Sequence, residues 1–321
     1  MRVLVTGGCG FIGSNFVRHF LSKYPDAHIT NLDKLTYAGN PANLADLEKE
    51  TRYRFVQGDI CDAAIVAQCM KDADAVVHFA AESHVDNSIA DPNVFMQTNV
   101  QGTVTLLNAA RAANIKRFVH VSTDEVYGSR ETGEFSENDL LAPSSPYSAA
   151  KAASDLFVKA YHATYGMPVL ITRSSNNFGP YQHPEKLIPL FITNLIEGKK
   201  VPVYGTGKNV RDWLYVLDNC DAIDAVLQKG KIGEVYNIAG GNEVTNIEIT
   251  KRLLAALGKD ESSVEYVKDR LGHDWRYAIT SEKIKALGWS PKHNFEQALA
   301  ATIAWYQANE HWWKPLKQGK K

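Results

Sequence analysis

The sequence has few cysteines, no long apolar run and almost no net charge, and each of these shortages excludes a class of protein. Its four cysteines include no Cys-x-x-Cys pair and no histidines at zinc-ligand spacing, so we expect reduced cysteines and no metal site. No run of about 20 apolar residues is present, and no long apolar segment follows a basic leader. We therefore expect a cytoplasmic protein without a membrane segment.

The charge balance limits the partners. With 35 basic and 36 acidic residues among 321, the formal net charge is −1, which argues against binding to nucleic acid or to an anionic membrane. Hydrophobic residues make up 45% of the chain and charged residues 22%, as in ordinary globular proteins. A chain of this length folds as one large domain or two unequal ones, and we expect two lobes that bind small molecules.

Short apolar segments bounded by Gly, Asp or Asn alternate with helical patterns through the first half of the chain. This alternation is typical of right-handed crossovers and a parallel sheet covered on both faces. The expected fold class is α/β, with a doubly wound, Rossmann-type parallel sheet. We predict strands at residues 2–6, 28–33, 53–59, 75–80, 117–122 and 168–173, and helices at 12–24, 62–73, 93–113 and 146–165.

The pattern changes after about residue 174, where loop-rich, proline-bearing and charged sequence begins. We assign residues 1–174 to the Rossmann-type domain and residues 175–321 mainly to a smaller, interleaved lobe that binds the substrate. A strand pattern at 233–241 predicts that part of 210–241 rejoins the first sheet. Residues 245–258 predict a helix with a capping box at its start. The crevice between the lobes is the expected ligand site.

A glycine-rich stretch, VTGGCGFIG, joins the first predicted strand to the first predicted helix. Gly8, Gly10 and Gly13 form a Gly-x-Gly-x-x-Gly pattern, and glycine permits a tight turn and the approach of a pyrophosphate to the helix start. Asp33 ends the second strand about 20 residues later, where a carboxylate can accept from a ribose hydroxyl. Together these features predict a dinucleotide site. Asp33 would repel a 2′-phosphate and so favours NAD over NADP, although the neighbouring Lys34 could offset this.

A second segment that could contact the cofactor is GDI at residues 58–60. It ends the third predicted strand at the same sheet edge. Asp59 and Ile60 could flank an adenine there. A turn aspartate and a core isoleucine explain the spacing equally well.

Tyr147 and Lys151 are spaced i, i+4 on a predicted helix, so their side chains share a face. A lysine cation beside a phenol lowers the pKa of the tyrosine, which can then take a hydroxyl proton as hydride leaves. Ser122 and Thr123 end the preceding strand, where a hydroxyl could hold the reacting alcohol. Their position after the glycine-rich stretch favours this interpretation over a surface pair on a helix.

Two carboxylates, Asp124 and Glu125, stand where this strand ends before Gly128. Successive residues of an ideal strand point to opposite faces, so both can face one substrate only if the segment leaves extended geometry. Adjacent carboxyl groups in a partly desolvated site have pKa values that move apart, as an acid and a base require. The alternative is a turn-capping Asp124 and a solvated Glu125.

The glycine pattern, Ser122 or Thr123, Tyr147 and Lys151 resemble the extended short-chain dehydrogenase/reductase superfamily. Within the superfamily the resemblance is to the dTDP-glucose 4,6-dehydratases across nearly the whole chain, through STDEVYG, AAESHVD (80–86), SPYSAAKA (145–152), SNNFGPYQHPEKLIP (175–189), RDWLYV (211–216) and DRLGHDWRYAI (269–279). Three positions depart from the pattern of these dehydratases: Cys9 replaces a small alanine, Asn87 a basic residue and Trp275 an arginine.

The resemblance implies conversion of dTDP-glucose to dTDP-4-keto-6-deoxyglucose. In this reaction the sugar is oxidised at C4, water is eliminated across C5 and C6 by Glu125 as base and Asp124 as acid, and retained NAD returns hydride at C6. It also implies a homodimer through the helices at 93–113 and 146–165, although a well-covered monomer core explains their apolar arcs nearly as well. The expected catalytic residues are Thr123, Asp124, Glu125, Tyr147 and Lys151.

The expected cofactor contacts come from the glycine loop, the strand ends and the tyrosine-bearing helix: Gly7, Gly10, Phe11, Ile12, Gly13, Asp33, Lys34, Thr36, Asp59, Ile60, Ala80, Ala81, Ser122, Tyr147 and Lys151. A nucleotide sugar also brings a diphosphate, which arginine grips with its planar fork. The expected substrate contacts are His84, Thr123, Asn176, Glu185, Lys186, Arg211, Asn246, Arg270 and His273.

Two alternative functions stay open on the sequence. A nucleotide-sugar 4-epimerase or uronate decarboxylase would use the same scaffold, but neither needs an eliminating acid and base, so Asp124 and Glu125 argue against both. A non-catalytic NAD-binding redox sensor or scaffold is the alternative of another class. The intact set of Thr123, Tyr147 and Lys151 argues against it.

Overall fold

A computed structural model of the protein describes residues 1–319, and its central layer is a seven-stranded parallel sheet. The order across the sheet is β10-β6-β5-β4-β1-β2-β3. All six neighbouring pairs are parallel. The strands are β1 (Arg2–Thr6), β2 (His28–Asp33), β3 (Tyr53–Gln57), β4 (Ala75–His78), β5 (Arg117–Thr123), β6 (Val169–Ser174) and β10 (Val235–Ile238).

Helices cover both faces of this sheet. On one face α1 and α8 pack against the apolar side chains of β1 and β5, and on the other face α2, α5 and α6 pack against β1, β4 and β6. The helices of this layer are α1 (Phe11–Lys23), α2 (Ala63–Met70), α3 (Val85–Ala90), α4 (Pro92–Phe95), α5 (Gly102–Ala112), α6 (Pro146–Tyr165) and α8 (Val216–Lys229).

The second lobe has its own apolar core, built around Phe178, Phe191, Trp213 and Tyr306. It contains a three-stranded sheet in the order β11-β9-β7 and a two-stranded sheet of β12 and β8. Its elements are β7 (Asn176–Phe178), α7 (Leu187–Ile196), β8 (Val201–Tyr204), β9 (Val210–Tyr215), β11 (Glu243–Thr245), α9 (Asn246–Ala256), β12 (Val264–Val267), α11 (Phe295–Ala308) and α12 (Glu310–Lys317). The short helix α10 (Glu282–Lys285) instead packs against β10, and its Ile284 joins the core of the central sheet.

The predicted doubly wound α/β sheet is present, and the strand predicted at 233–241 is β10, which pairs with β6. The capping box predicted at Thr245 and Glu248 also forms, with both side chains accepting from the partner's backbone N–H. The helix predicted over 93–113 is divided into α4, a π-helical turn at Met96–Gln101, and α5. Lys320 and Lys321, the basic end of the chain, lie outside the described residues.

Within residues 1–319, no helix is both long and apolar enough to cross a membrane. The same range contains no group of three His, Cys, Asp or Glu side chains that could hold a metal ion. All four cysteines are unpaired thiols.

Candidate active site

Two adjoining cavities open at the carboxyl ends of the parallel strands, the edge where ligands bind in open α/β sheets. The first extends from the glycine-rich loop after β1 to the start of α6. The second lies between α7, β8, β9 and residues 270–277. Four residues line both cavities, so a ligand in one can reach a ligand in the other: Ser83, Gln182, Glu185 and Lys186.

The first cavity has the shape of a dinucleotide cradle. Gly7 has a φ of +73°, and a Cβ there would lie 2.6 Å from the backbone nitrogen of Ala80. A Cβ at Gly13 would lie 2.3 Å from the carbonyl oxygen of Gly7. These clashes mean that only glycine lets the loop, the β4 end and the start of α1 pack this closely, which leaves room for a pyrophosphate above them.

Every residue predicted to contact the cofactor lines this first cavity: Gly7, Gly10, Phe11, Ile12, Gly13, Asp33, Lys34, Thr36, Asp59, Ile60, Ala80, Ala81, Ser122, Tyr147 and Lys151. The residues present therefore fit NAD. Their individual contacts with it stay predictions.

Asp33 and Lys34 are held in different ways at the ribose end of the cavity. The carboxylate of Asp33 accepts backbone hydrogen bonds from Cys9 at 2.9 Å and from Leu35 at 2.8 Å. The ammonium of Lys34 lies 2.7 Å from a carboxylate oxygen of Asp59. Because Lys34 is paired with Asp59, it does not offset the charge of Asp33, and the site favours NAD over NADP.

Several residues of this cavity were not predicted. Glu82 and Ser83 lie in the AAESHVD stretch after β4, whose position at the sheet edge was an available signal. Thr98 belongs to the π-helical turn, and Gln182 comes from the second lobe. No periodicity or spacing pointed to these last two residues.

The start of α6 positions the pair expected to carry out proton transfer. Ser145 caps the helix in a reciprocal capping box with Ser148, and Pro146 occupies the first turn. Tyr147 and Lys151 then follow one turn apart, both buried and both lining the first cavity. The ammonium of Lys151 donates a hydrogen bond of 2.8 Å to the carbonyl oxygen of Val121 on β5.

The pKa values at this pair differ in part from the expectation. Burial lowers the pKa of Lys151 to about 8, and the charge of Asp155 opposes this effect. Burial and the charges of Glu125 and Asp124 raise the pKa of Tyr147, and a hydrogen bond with Thr123 acts in the opposite direction. In the protein alone, burial and the neighbouring carboxylates therefore set the direction of the Tyr147 pKa shift, and the lowering of this pKa by Lys151 stays a prediction.

The carboxylates leave extended geometry as the sequence argument requires. β5 ends at Thr123, and Asp124–Tyr127 form a 3₁₀ turn closed by Gly128 at a φ of +80°. The Thr123 hydroxyl caps this turn, accepting from the backbone N–H of Glu125 at 3.3 Å and donating to Asp124 at 3.2 Å. Glu125 consequently lines the second cavity, whereas Asp124 is buried and lines neither cavity.

The surroundings of the two carboxyl groups separate their pKa values. Burial first, and then the charges of Glu125 and Asp212, raise the pKa of Asp124 well above its ordinary value. Burial also raises the pKa of Glu125, but Arg270, Lys186 and Arg211 oppose this. Asp124 is thus suited to keep a proton and donate it, and Glu125 is suited to accept one.

The second cavity collects eight of the nine predicted substrate residues: His84, Asn176, Glu185, Lys186, Arg211, Asn246, Arg270 and His273. Thr123 is buried and does not line it. Part of the hydrogen-bonding capacity of the Arg211 guanidinium is already used, since it donates to the carbonyl oxygens of Val210 and Asp274. In contrast, Nε of Arg270 is buried without a protein partner. The cavity therefore presents unpaired cationic and polar atoms to a ligand.

Many residues of this cavity were not predicted, and four of them carry polar or aromatic side chains that could contact a ligand: Asp86, Tyr204, Trp213 and Tyr277. Trp213 and Tyr277 lie in the quoted motifs RDWLYV and DRLGHDWRYAI, so the signal was available. The backbone oxygen of Trp275, the residue that departs from the family pattern, accepts a hydrogen bond from Arg211 at 3.4 Å.

Comparison with known proteins agrees with this geometry. Residues 4–302 match the family described as GDP-mannose 4,6 dehydratase. A dTDP-glucose 4,6-dehydratase of Streptomyces niveus is 52% identical over 99% of this chain and 96% of its own. The low-salt glycan biosynthesis protein Agl12 of Haloferax volcanii is 55% identical over 97% of this chain and 100% of its own.

A solved structure shows the same fold throughout. The dTDP-glucose 4,6-dehydratase DesIV of Streptomyces venezuelae, crystallised with NAD and TYD, superposes with a TM-score of 0.97. It is 56% identical and covers 98% of this chain and 100% of its own. With identities above half over nearly full lengths, this chain belongs to the dTDP-glucose 4,6-dehydratase family.

Proposed function

We propose that this protein is an NAD-dependent hydro-lyase that converts dTDP-glucose to dTDP-4-keto-6-deoxyglucose and water. The observation that carries the proposal is the 3₁₀ turn that holds both carboxyl groups: Glu125 lines the second cavity, which we name the sugar cavity, and Asp124 is buried next to it in the chain. The first cavity, which contains the glycine-rich loop, is named the cofactor cavity. The full-length relatives that are named dTDP-glucose 4,6-dehydratases support the choice of substrate.

The first step of the reaction belongs to the residues at the start of α6. NAD held in the first cavity would supply the hydride chemistry, at C4 of the sugar and then at C6, and its positive ring would favour the phenolate of Tyr147. Tyr147 takes the proton of the C4 hydroxyl, and Thr123 hydrogen-bonds to the reacting groups. Lys151 supplies the nearby positive charge from its position against β5.

The elimination step belongs to the 3₁₀ turn after β5. The 4-ketone makes the C5 proton acidic, and Glu125, which faces the sugar cavity, removes it. Asp124 retains a proton because it is buried beside other carboxylates, and it gives this proton to the leaving C6 hydroxyl. Lys186, Arg211 and Arg270 surround Glu125 and bind the anionic part of the substrate.

The epimerase and decarboxylase alternatives do not account for the buried acid. Neither reaction expels a hydroxyl group, so neither requires a proton donor such as Asp124 next to a base. Burial of the Asp124 carboxyl group costs free energy, and neither of these reactions would explain why the protein bears that cost.

The experiment that tests the function is incubation of the purified protein with dTDP-glucose in heavy water, without added NAD. Mass spectrometry and proton NMR should show loss of one water and solvent deuterium at C5. Conversion at C4 with unchanged mass would establish an epimerase instead. No change, even with NAD added and with UDP- or GDP-sugars, would overturn the proposal.

We further propose that the protein is a homodimer. Apolar side chains are exposed along neighbouring elements of one surface, and α6 packs directly against α3, α4 and residues 96–101. A second copy related by a twofold axis would cover this surface with the same surface of its own. Its exposed apolar residues are Ile89, Val94, Met96, Leu156 and Phe157.

We also propose a cytoplasmic location. The four cysteines are unpaired, and Cys9 and Cys220 are buried thiols whose pKa values are raised by burial. Such thiols are typical of a reducing compartment. Fractionation of the native cells, followed by immunoblotting, tests this assignment.

A further inference from the structure

A buried polar layer crosses the central sheet close beneath the cofactor cavity. In it Thr6, His78 and His120 lie side by side on β1, β4 and β5. Nδ1 of His78 is 2.7 Å from the hydroxyl of Thr6, and its Nε2 is 3.0 Å from that of Thr103. The His78 and His120 rings are 5.2 Å apart. The reaction described above makes no use of these side chains.

The layer continues into an ion pair between β6 and α6. Nε of Arg173 donates to Asp155 at 2.8 Å, and Nε2 of His120 lies 3.4 Å from the other carboxylate oxygen. Arg173 also donates to the hydroxyl of Tyr127 at 2.7 Å. Asp155 is 0% exposed and Arg173 is 1% exposed. A well-packed apolar pair would often be equally stable at such a position, so stability alone does not explain this one.

The position of Asp155 gives the ion pair a second role. Asp155 follows Lys151 by one helical turn on α6, so their side chains lie on one face of the helix. The buried ammonium of Lys151 has the carbonyl oxygen of Val121 as its hydrogen-bond acceptor. A buried cation needs a compensating negative charge, and Asp155 is the carboxylate that opposes its loss of a proton.

Other ionisable groups face this part of α6 from the elements packed against it. Arg173 is neutralised by Asp155, and the histidines of the layer are held neutral because burial lowers their pKa values. Residues 92–101 carry no ionisable side chain. The groups on the packed elements are Arg117 and His120 of β5, Arg173 of β6, Asp124, Glu125 and Tyr127 of the 3₁₀ turn, Asp86 of α3 and Arg111 of α5.

We propose that Asp155, fixed by its ion pair with Arg173, is a positioning residue that keeps the Lys151 ammonium charged and seated against β5 beside Tyr147. The inference rests on the proposed function, because Lys151 affects turnover only through the proton taken by Tyr147. Asp155 itself reaches neither the substrate nor the cofactor cavity.

Asp155→Asn tests the proposal in the NAD-bound enzyme, since it keeps the size of the side chain and removes its charge. The ionisation of Lys151 is followed by NMR of lysines labelled with ¹³C at Cε and assigned with Lys151→Arg, and kcat is measured against pH. Both the Lys151 titration and the alkaline limb of kcat should move to lower pH by about one unit or more. The KM for dTDP-glucose should stay the same.

Asp224→Asn is the matched control. Asp224 is a fully buried carboxylate in an ion pair of 2.6 Å with Lys23, and it lies on α8, on the opposite face of the sheet. Its replacement should lower the melting temperature without moving either titration. This outcome separates an electrostatic role of Asp155 from a purely structural one.

A second variant covers the case in which Asp155→Asn does not fold because Arg173 is left unpaired. Asp155→Asn/Arg173→Met removes both charges and still leaves Lys151 without its counter-charge, so the Lys151 titration should again move to lower pH, but by less than in Asp155→Asn, because no unpaired Arg173 cation is left to repel the ammonium. An unshifted Lys151 titration in either folded variant would overturn the proposal. Failure of the wild-type protein to dehydrate dTDP-glucose would instead overturn the proposed function, while the NMR titration would still decide the role of Asp155.

Discussion

Asp124 and Glu125 are consecutive in the sequence, but the 3₁₀ turn directs them into different surroundings. Asp124 is 2% exposed, and its burial, followed by the negative charges of Glu125 and Asp212, raises its pKa. Glu125 borders the sugar cavity, where Lys186 and Arg270 oppose the rise of its pKa. One turn of the chain thus produces an acid and a base from two carboxyl groups.

Asp124→Asn and Glu125→Gln should each block elimination while leaving the oxidation at C4 possible. We expect dehydration to fall by about 100-fold or more, because each variant removes one partner of the proton transfers. Single-turnover absorbance of reduced nicotinamide, together with product mass spectrometry, separates the two steps. Glu131→Gln, an exposed glutamate in the same connection, is the control and should behave as wild type. Dehydration at the normal rate in either variant would show that the assigned roles are wrong.

The rate of dehydration should depend on pH with two limbs. Activity should rise as Glu125 loses its proton, and since burial raises the pKa of Glu125, this limb should lie above the ordinary carboxyl value of about 4.3. Activity should fall as Lys151 loses its proton near a pKa of about 8. Measurement of kcat against pH checks both limbs. An acidic limb that persists in the residual activity of Glu125→Gln would contradict its assignment to Glu125.

Arg270 is the cation of the sugar cavity with the clearest capacity for a ligand, because its buried Nε has no protein partner. Arg270→Gln should raise the KM for dTDP-glucose and the Kd for dTDP about tenfold or more, as loss of a charge-assisted hydrogen bond predicts. Calorimetric titration with dTDP measures the effect. Arg252→Gln, which removes an exposed ion pair with Glu296 in the same lobe, is the control. Equal affinities for both variants would exclude Arg270 from the binding site.

The parts of the fold set by local pattern were predictable from the sequence. The pattern of short apolar segments bounded by Gly, Asp or Asn placed β1, β2 and β5 within one residue of their observed bounds. The division of the helix predicted over 93–113 by a π-helical turn at Met96–Gln101 was not visible in the sequence pattern. Gly102, where α5 begins, allows close packing, since a Cβ there would lie 2.5 Å from the side chain of Ile60.

The candidate site was predictable where motifs mark strand ends and not where distant segments meet. The residues of the glycine loop, Tyr147 and Lys151 follow from spacing. The ion pair of Asp155 with Arg173 does not follow from spacing. The partner of an arginine inside an apolar strand can be identified only when the position of the neighbouring helix is known. The contribution of Gln182 to the cofactor cavity was unpredictable for the same reason, because it comes from the second lobe.

Gly7→Ala should yield protein that retains little NAD. Its φ is +73° and its Cβ would meet the backbone of Ala80 at 2.6 Å, so both strain and steric overlap follow. Gly133→Ala is the control, because Gly133 has a φ of +76° and open space around the position of a Cβ. It should lose about 1 kcal/mol of stability and keep its cofactor. The amount of NAD released per chain on denaturation compares the two variants. Equal retention of NAD by both would contradict the role of Gly7 in the cofactor cavity.

Leu156→Glu and Phe157→Glu should convert a dimer into monomers. Both side chains are exposed on the face of α6 away from the sheet, with Leu156 at 58%. In a twofold interface, a glutamate at either position would lie near the same glutamate of the second copy, and the two buried charges would repel each other. Size-exclusion chromatography with light scattering should show the mass fall by half. Leu140→Glu is the matched control, since Leu140 is 88% exposed outside the helical surface. A wild-type protein that is monomeric at all concentrations would contradict the homodimer, and dissociation caused equally by Leu140→Glu would place the interface elsewhere.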